Sequence, residues 1–221
     1  MGDVSEDRFT LTTSAGEVSA VWTPAAAGAP AMVVAHGAGA GMDHPFMSGF
    51  CRALADEGVA ALRFNFPYME AGRRTPDRAA NAITAFRAAV DAAATRAGDR
   101  PVFGGGKSYG GRMASMAAAE GAPVAALVFL GYPLHAPGKL DQIRDEHLYG
   151  LEIPMLFLQG TKDPFADPGV LAGVLAKLGD RATHVAFEGA GHSFERSRKD
   201  DPRENGAALA PHVAAFVREH V

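Results

Sequence analysis

The sequence predicts an α/β protein with an open, mostly parallel, doubly wound sheet. Short apolar runs rich in β-forming residues alternate with amphipathic segments along most of the 221 residues. This alternation is typical of parallel strands covered on both faces by helices. The length suits one compact domain, and the chain contains no repeat and no long linker. We therefore expect a single α/β domain spanning residues 1–221.

Eight apolar runs are predicted to be strands, the first two of them outside the parallel part of the sheet. They are Arg8–Thr13, Val18–Thr23, Met32–Ala35, Ala60–Phe66, Pro101–Phe103, Ala126–Leu130, Met155–Leu158 and His184–Phe187.

The segments between these runs carry helix signals. Phe46, Phe50 and Leu54 form one apolar stripe that Gly58 ends. Three further helices are predicted, and two less regular segments are also expected to be helical. The predicted helices are Thr75 (N-cap), Pro76 and Asp77 through to about Gly98, the segment from Ser108 to Gly121, and one from about Pro202 onwards; the other segments are Asp141–Tyr149 and Pro168–Leu178.

Composition excludes several classes of protein. With 21 Lys and Arg against 25 Asp and Glu, the net charge is −4, and no basic run suggests nucleic-acid binding. Cys51 is the one cysteine, which excludes a multi-thiolate zinc site and fits a reducing compartment. No run approaches the roughly 18 apolar residues of a membrane span, and Met1 to Phe9 is acidic, without a secretory signal. We expect a cytoplasmic protein with no membrane partner.

Ligands of such sheets bind beyond the carboxyl ends of the strands, so the turns there are the first place to look for chemistry. After one predicted strand, residues 106–110 read Gly-Lys-Ser-Tyr-Gly, a G-x-S-x-G motif around Ser108. In this motif the serine occupies a tight strand-to-helix turn that exposes its hydroxyl. Two alternatives remain, a Gly-rich packing turn and a phosphate-binding loop that uses Gly104–Ser108. A Walker A motif, however, needs glycine at position 101, which is Pro101.

A serine nucleophile needs a base, and the base needs an acid that orients it. Asp163 follows the run Met155–Leu158, and His192 stands in a Gly-rich loop after the last predicted strand. The chain order Ser, Asp, His is the order of the G-x-S-x-G hydrolases. We therefore predict a triad of Ser108, Asp163 and His192, with Asp167 as the alternative acid.

Glycine-rich residues 37–41, after the third predicted strand, are positioned to complete an oxyanion hole. We predict donors at the backbone N–H groups of Tyr109 and Ala38, with Gly37 or Gly39 as alternatives to Ala38.

Several side chains around this edge are candidates for substrate binding. Tyr68, Arg73 and Arg74 follow the next strand, and the two arginines either bind an anionic substrate group or form a solvated pair. Lys107 and Arg112 flank the nucleophile turn and could also favour an anionic substrate group. For Arg112 we instead expect pairing with a nearby carboxylate.

These motifs together resemble the α/β-hydrolase superfamily, in particular the small, capless KANL3/Tex30-like branch related to dienelactone hydrolases. The resemblance extends over about residues 30–220 and rests on these segments: His36–Ala40, Phe64–Tyr68, Gly105–Arg112, Gln159–Asp163 and Gly189–Phe194. Dienelactone hydrolases use a cysteine nucleophile where this chain has Ser108, so the resemblance does not imply their lactone chemistry. Some relatives serve as scaffolds in larger assemblies.

The expected function is a serine hydrolase that cleaves small carboxylesters or thioesters through an acyl-enzyme, with no metal or organic cofactor. A catalytically silent binding or scaffold protein, or a nucleotide-binding protein, is the alternative. Residues 134–153 are too few to form a sizeable lid, which predicts an open site. We expect the protein to act as a monomer or a homodimer.

Overall fold

An eight-stranded sheet forms the centre of the computed structural model, which describes residues 5–76 and 78–221. The strands are β1 (Asp7–Thr13), β2 (Gly16–Thr23), β3 (Ala31–Ala35), β4 (Ala60–Phe64), β5 (Val102–Lys107), β6 (Leu127–Leu130), β7 (Met155–Gly160) and β8 (Ala182–Phe187). Their order is β1-β2-β4-β3-β5-β6-β7-β8. β1 and β2 pair antiparallel, β2 pairs antiparallel with β4, and the remaining neighbours are parallel. The predicted fold class is confirmed.

Helices cover both faces of the sheet. They are α1 (Pro45–Asp56), α2 (Pro67–Glu70), α3 (Ala79–Ala97), α4 (Tyr109–Ala119), α5 (Pro168–Leu178), α6 (Pro202–Ala207) and α7 (Ala210–Glu219), with 3₁₀ turns at Glu146–Gly150 and Gly179–Arg181. Apolar side chains of α3, α4 and α5 pack on one face, and those of α1 and α7 pack on the other. None of the helices in the described residues is long and apolar enough to cross a membrane.

Three helix predictions are wrong in detail. α3 begins at Ala79 after Arg78, and Thr75 and Pro76 lie in the preceding loop; Asp77 is outside the described residues. The local Thr-Pro pattern is compatible with a turn as well as with a helix start, so it could not fix the boundary.

The segment 141–149 is not an α-helix, because the Arg144 N–H donates to the distant Leu134 carbonyl instead of to a residue one turn before. The C-terminal helix is divided into α6 and α7. Pro211 has no N–H, so it cannot donate the helical hydrogen bond to the carbonyl four residues before it.

β5 is longer than predicted because its second half is glycine. A Cβ at Gly105 would lie 2.0 Å from the Val128 carbonyl oxygen, so only glycine allows β6 to pair so closely. Glycines in a strand interior normally indicate a loop, which is why the sequence pattern ended the strand at Phe103. The extension carries the chain to Ser108 at the carboxyl edge of the sheet, where the candidate site lies.

No cap domain lies over this edge in the described residues. The segment between β6 and β7 contains only turns and the 3₁₀ helix Glu146–Gly150. The prediction that no sizeable lid is present is confirmed.

Candidate active site

Ser108 occupies a strained turn between β5 and α4, with φ 50° and ψ −115°. The flanking glycines make this turn possible. A Cβ at Gly106 would lie 2.1 Å from the Ala35 carbonyl oxygen, and a Cβ at Gly110 would lie 2.3 Å from the same atom. The G-x-S-x-G pattern is therefore a steric requirement of this chain, because β3 passes directly against the turn.

Three side chains from distant parts of the sequence form a hydrogen-bonded series beside this turn. His192 Nε2 lies 2.8 Å from Ser108 Oγ, and His192 Nδ1 lies 2.7 Å from Asp163 Oδ2. Asp163 follows β7 and His192 follows β8, so each comes from the loop after a parallel strand. This is the arrangement in which an imidazole can take a hydroxyl proton while a carboxylate fixes its orientation.

Asp163 is held in place by groups around its carboxylate. The Gln159 side-chain amide donates to Oδ2, and the Phe165 N–H donates to Oδ1 over 2.8 Å. Gln159 in turn accepts a hydrogen bond from the Tyr132 N–H over 2.9 Å. With Asp163 only 4% exposed, these donors hold the buried carboxylate ready to accept from His192.

The loop that carries His192 is tied by Glu195. The Gly191 N–H donates to the Glu195 carbonyl and the Ser193 N–H donates to the Glu195 carboxylate, both over 2.8 Å. The Phe165 ring packs on the imidazole with 4.4 Å between ring centroids. The hydrogen bonds to Glu195 therefore fix the backbone that carries His192, and the Phe165 ring covers one face of the imidazole.

His36 organises the glycine-rich loop after β3. Its Nδ1 lies 2.8 Å from the Gly37 carbonyl, and its Nε2 accepts the Phe66 N–H over 3.0 Å. Burial lowers the pKa of His36 to about 4, so the ring is neutral, with Nδ1 as the donor. A Cβ at Gly37 would lie 3.8 Å from Ser108 Cβ, so this loop passes beside the nucleophile. Of the two predicted oxyanion donors, Ala38 belongs to this loop and Tyr109 begins α4 directly after Ser108.

Asp167, the alternative acid, has another structural role. Its carboxylate accepts the N–H groups of Gly169 and Val170 over 2.9 and 3.1 Å and caps α5. His192 contacts Asp163 instead.

A cavity of about 360 Å³ opens in front of Ser108 and His192. Its wall also includes residues of the glycine-rich loop after β3, apolar residues of α1 and several cations. They are Gly37, Ala38, Ala40, His44, Phe46, Met47, Lys107, Tyr109, Arg112, Pro133, Arg144, Phe165 and Ser193. The volume lies within the usual range for small-molecule sites.

None of the three residues predicted to bind substrate lies on the described wall of this cavity. Tyr68 is 1% exposed and packs in the core against His36 and Phe66, with ring centroids 5.9 and 6.2 Å away. Arg73 and Arg74 are exposed residues of the loop after α2. Substrate binding by these residues stays a prediction that the cavity does not support.

The expected carboxylate partner of Arg112 is not found, which corrects that prediction. The Arg112 guanidinium makes no hydrogen bond or ion pair with any described residue, and its buried Nε has no hydrogen-bond partner. Its neighbour in the turn, Lys107, is 7% exposed. Burial lowers the pKa of Lys107 to about 8, and the charges of Asp163 and Glu195 act in the opposite direction.

The phosphate-loop alternative does not fit the backbone. Gly104 to Lys107 belong to β5, and this stretch pairs with β3 on one side and with β6 on the other. A phosphate-binding loop instead needs backbone N–H groups that converge on a ligand.

Two supporting residues, Gln159 and His36, were missed by the sequence reasoning. Gln159 had a usable signal, since it is a polar residue that ends an otherwise apolar run just before Asp163. His36 follows an apolar strand in the same way, but nothing in the sequence shows that its partner is the backbone of Phe66. Such pairings depend on tertiary contact.

Comparison with known proteins defines the class. The chain resembles solved structures over nearly its whole length, although at identities that show only the fold. A serine hydrolase without a lid from Xanthomonas campestris has a TM-score of 0.75 at 20% identity, covering 98% of this chain and 97% of that one. Dienelactone hydrolase from Anabaena variabilis also gives 0.75, at 19% identity and with 98% of both chains covered. The esterase domain of a Rhodothermus marinus protein gives 0.72 at 16% identity, covering 98% of this chain and 99% of that domain.

These likenesses define an α/β-hydrolase fold of the kind without a lid. Residues 28–219 match the model of the α/β hydrolase domain family. The chain belongs to this family.

Proposed function

We propose that the protein is a serine hydrolase that cleaves small ester-like substrates, carboxylesters or thioesters, with Ser108, His192 and Asp163 as its catalytic triad. The observation that carries the proposal is the pair of hydrogen bonds through His192, 2.8 Å to Ser108 and 2.7 Å to Asp163. Serine hydrolases and esterases among the structural neighbours support the reaction class. Within the family, we assign the chain to the capless KANL3/Tex30-like branch.

The reaction proceeds in two steps. Ser108 Oγ attacks the carbonyl carbon while His192 Nε2 takes the hydroxyl proton, and the carbonyl π electrons move to oxygen. When the tetrahedral intermediate collapses, the bond to the alcohol or thiol breaks and His192 returns the proton to the leaving group. Water then attacks the acyl-enzyme, with His192 again as base, and releases the acid and free Ser108.

The backbone N–H groups of Tyr109 and Ala38 stabilise the negative charge on the carbonyl oxygen in both steps. Tyr109 is the residue after the nucleophile, at the N-terminus of α4, where the helix dipole favours an anion. The His36 ring holds the loop on the Ala38 side through its contacts with Gly37 and Phe66. A donor of this kind is worth about 2.7–4 kcal/mol of transition-state stabilisation.

Covalent labelling tests the nucleophile. A fluorophosphonate probe is expected to label the wild-type protein at Ser108 and to leave Ser108→Ala unlabelled, because only an activated serine displaces fluoride. Ser193→Ala is the matched control, since Ser193 is on the cavity wall but outside the triad. Mass spectrometry of the labelled peptide locates the adduct. An unlabelled wild-type protein that also hydrolyses no ester of a broad acyl panel would support a catalytically silent binding protein instead.

Asp163→Asn tests the acid. Because an amide at this position favours the wrong imidazole tautomer, kcat is expected to fall by about 10²–10⁴-fold. Asp167→Asn is the matched control: its carboxylate caps α5, so a lower melting temperature with nearly unchanged kcat is expected. Comparable losses of kcat in both variants would contradict the assignment of Asp163.

A further inference from the structure

The cavity wall carries two arginines whose guanidinium groups form no ion pair with a described carboxylate. Arg112 comes from α4, one turn after Ser108, and Arg144 comes from the segment between β6 and β7. No described residue on the cavity wall is Asp or Glu. The protein has a net charge of −4, so this concentration of cations is a local feature and not a consequence of overall composition.

Several arginines elsewhere in the described structure pair with carboxylates. Arg63 pairs with Glu6 over 2.9 Å, Arg8 with Asp43 over 2.7 Å and Arg96 with Asp7 over 3.1 Å. By contrast, the guanidinium groups of Arg112 and Arg144 form no hydrogen bond or ion pair with any residue the structure describes.

Arg112 is also partly desolvated, since its Nε is buried and has no hydrogen-bond partner. Leaving a buried donor unsatisfied costs free energy, and the cost is larger for a charged group. A ligand carboxylate that pairs with the guanidinium would offset part of that cost.

The third cation on the wall, Lys107, belongs to a different environment. Its side chain points to the α1 side of the sheet, with Nζ 5.9 Å from the centre of the Phe46 ring. The charges of Asp163 and Glu195 act on Lys107 and partly balance it. Arg112 and Arg144 are therefore the cations on the wall that remain to be matched to an anionic ligand.

We propose that Arg112 and Arg144 bind a carboxylate of the substrate, so that the preferred substrates are esters bearing a second, anionic carboxyl group. This inference rests on the proposed function and specifies its substrate class. A guanidinium presents a planar pair of N–H donors that matches the two oxygens of a carboxylate. The backbone N–H of Arg112 donates to the Ser108 carbonyl over 3.1 Å, so Arg112 lies one helical turn after the nucleophile, and both residues are on the cavity wall. We therefore expect the carboxylate to lie a few bonds from the scissile carbonyl.

Matched ester pairs test this charge preference. The acyl arm compares the 4-nitrophenyl monoester of glutaric acid with 4-nitrophenyl pentanoate, which has the same leaving group and chain length. The alcohol arm compares 4-(butyryloxy)butanoate with butyl butyrate, which has the same number of carbons in the alcohol, and hydrolysis is followed by pH-stat. In at least one arm, kcat/KM of the wild-type protein is expected to be at least tenfold higher for the charged ester. No preference in either arm would overturn the proposal.

Variants locate the source of the preference. In Arg112→Gln the charged-to-uncharged ratio of kcat/KM is expected to fall at least tenfold, mainly through KM, whereas Arg112→Lys keeps part of it. Arg144→Gln, in a half-exposed segment, should lower the ratio in the same direction. Arg218→Gln removes the same charge from an exposed position on α7 and should leave the ratio unchanged. A preference that survives both Arg112→Gln and Arg144→Gln would refute the assignment.

Binding without turnover separates this proposal from the proposed function. Calorimetry of Ser108→Ala with glutarate is expected to show binding that weakens at least tenfold when Arg112→Gln is added. If fluorophosphonate labels Ser108 but glutarate does not bind and no ester pair shows a preference, the carboxylate site is wrong and the hydrolase remains. If labelling fails while glutarate binds through Arg112, the hydrolase is wrong and the anion site remains.

Discussion

At the residue scale, Lys107 shows how a side chain beside the nucleophile can be poorly solvated. Its ammonium group is nearly buried and forms no ion pair within 4.0 Å with any residue the structure describes. Burial lowers the pKa of Lys107 to about 8, which means that the folded protein disfavours the charged form relative to the unfolded chain. The flanking glycines explain the turn, but nothing in its backbone geometry requires a lysine.

Lys107→Met is therefore expected to stabilise the fold, by about 1–3 kcal/mol at pH 7, because the cost of burying the charge disappears. Thermal and urea unfolding measure this change. In the wild-type protein the free-energy cost of burying the Lys107 charge is complete below pH 8 and decreases as the pH rises towards 10.5. The extra stability of Lys107→Met should therefore shrink over that pH window. Lys199→Met, at an exposed position, serves as control and should change stability by less than about 0.5 kcal/mol. A less stable Lys107→Met protein would show that the Asp163 and Glu195 charges outweigh burial.

At the element scale, two glycines inside helices have opposite structural meanings. Gly49 lies in α1 at its crossing with α6, where a Cβ would come within 2.3 Å of the Arg203 carbonyl oxygen. Gly173 lies in the middle of α5 at an exposed position, and a Cβ there would have nothing within 4 Å. From the sequence alone both are glycines inside a predicted helix, and nothing distinguishes the packed position from the exposed one.

We expect Gly49→Ala to destabilise the protein by about 1–3 kcal/mol, since α1 and α6 must move apart. Gly173→Ala should stabilise it by about 0.5–1 kcal/mol, because alanine loses less backbone entropy and meets no neighbour. Urea unfolding of the two variants at one pH gives both values. A Gly49→Ala protein at least as stable as the wild type would contradict the close packing of α1 on α6, and a destabilised Gly173→Ala protein would contradict the open surroundings of Gly173.

At the scale of the whole molecule, stability is expected to depend on pH through the buried His36. The unfolded chain takes up a proton on this ring as the pH falls below about 6.5, whereas the folded protein does so only near 4. The stabilisation is therefore complete above pH 6.5 and is lost between pH 6.5 and 4, up to about 3 kcal/mol. Burial also lowers the pKa of His44, His147 and His184, which adds to the same slope.

Urea unfolding at pH 7.5 and 5 measures this dependence. His36→Gln is expected to be less stable at pH 7.5 than the wild-type protein. Its free energy of unfolding should fall less on acidification, because His36 no longer titrates, but it should still fall somewhat because the three other histidines remain. An unchanged slope in the variant would show that His36 is not the main titrating group.

The sequence by itself determined the succession of strands and most helices along the chain, the doubly wound class of the sheet, and the turns that contain Ser108, Asp163 and His192. These features depend on local periodicity and on glycine spacing, which can be read without knowing what packs against what. Their catalytic roles stay predictions, although the fold brings the three side chains within hydrogen-bond distance.

Only the tertiary structure decided the supporting and substrate-facing residues. Gln159 and His36 accept hydrogen bonds from backbone N–H groups just beyond other strands, Arg112 has no carboxylate partner among the described residues, and Tyr68 is in the core. The β5 glycines looked like a loop because the neighbouring Val128 carbonyl that requires them lies on a different strand. Each of these outcomes depends on which distant segments meet in the fold, and apart from the polar Gln159 at the end of an apolar run, these contacts leave no local pattern in the sequence.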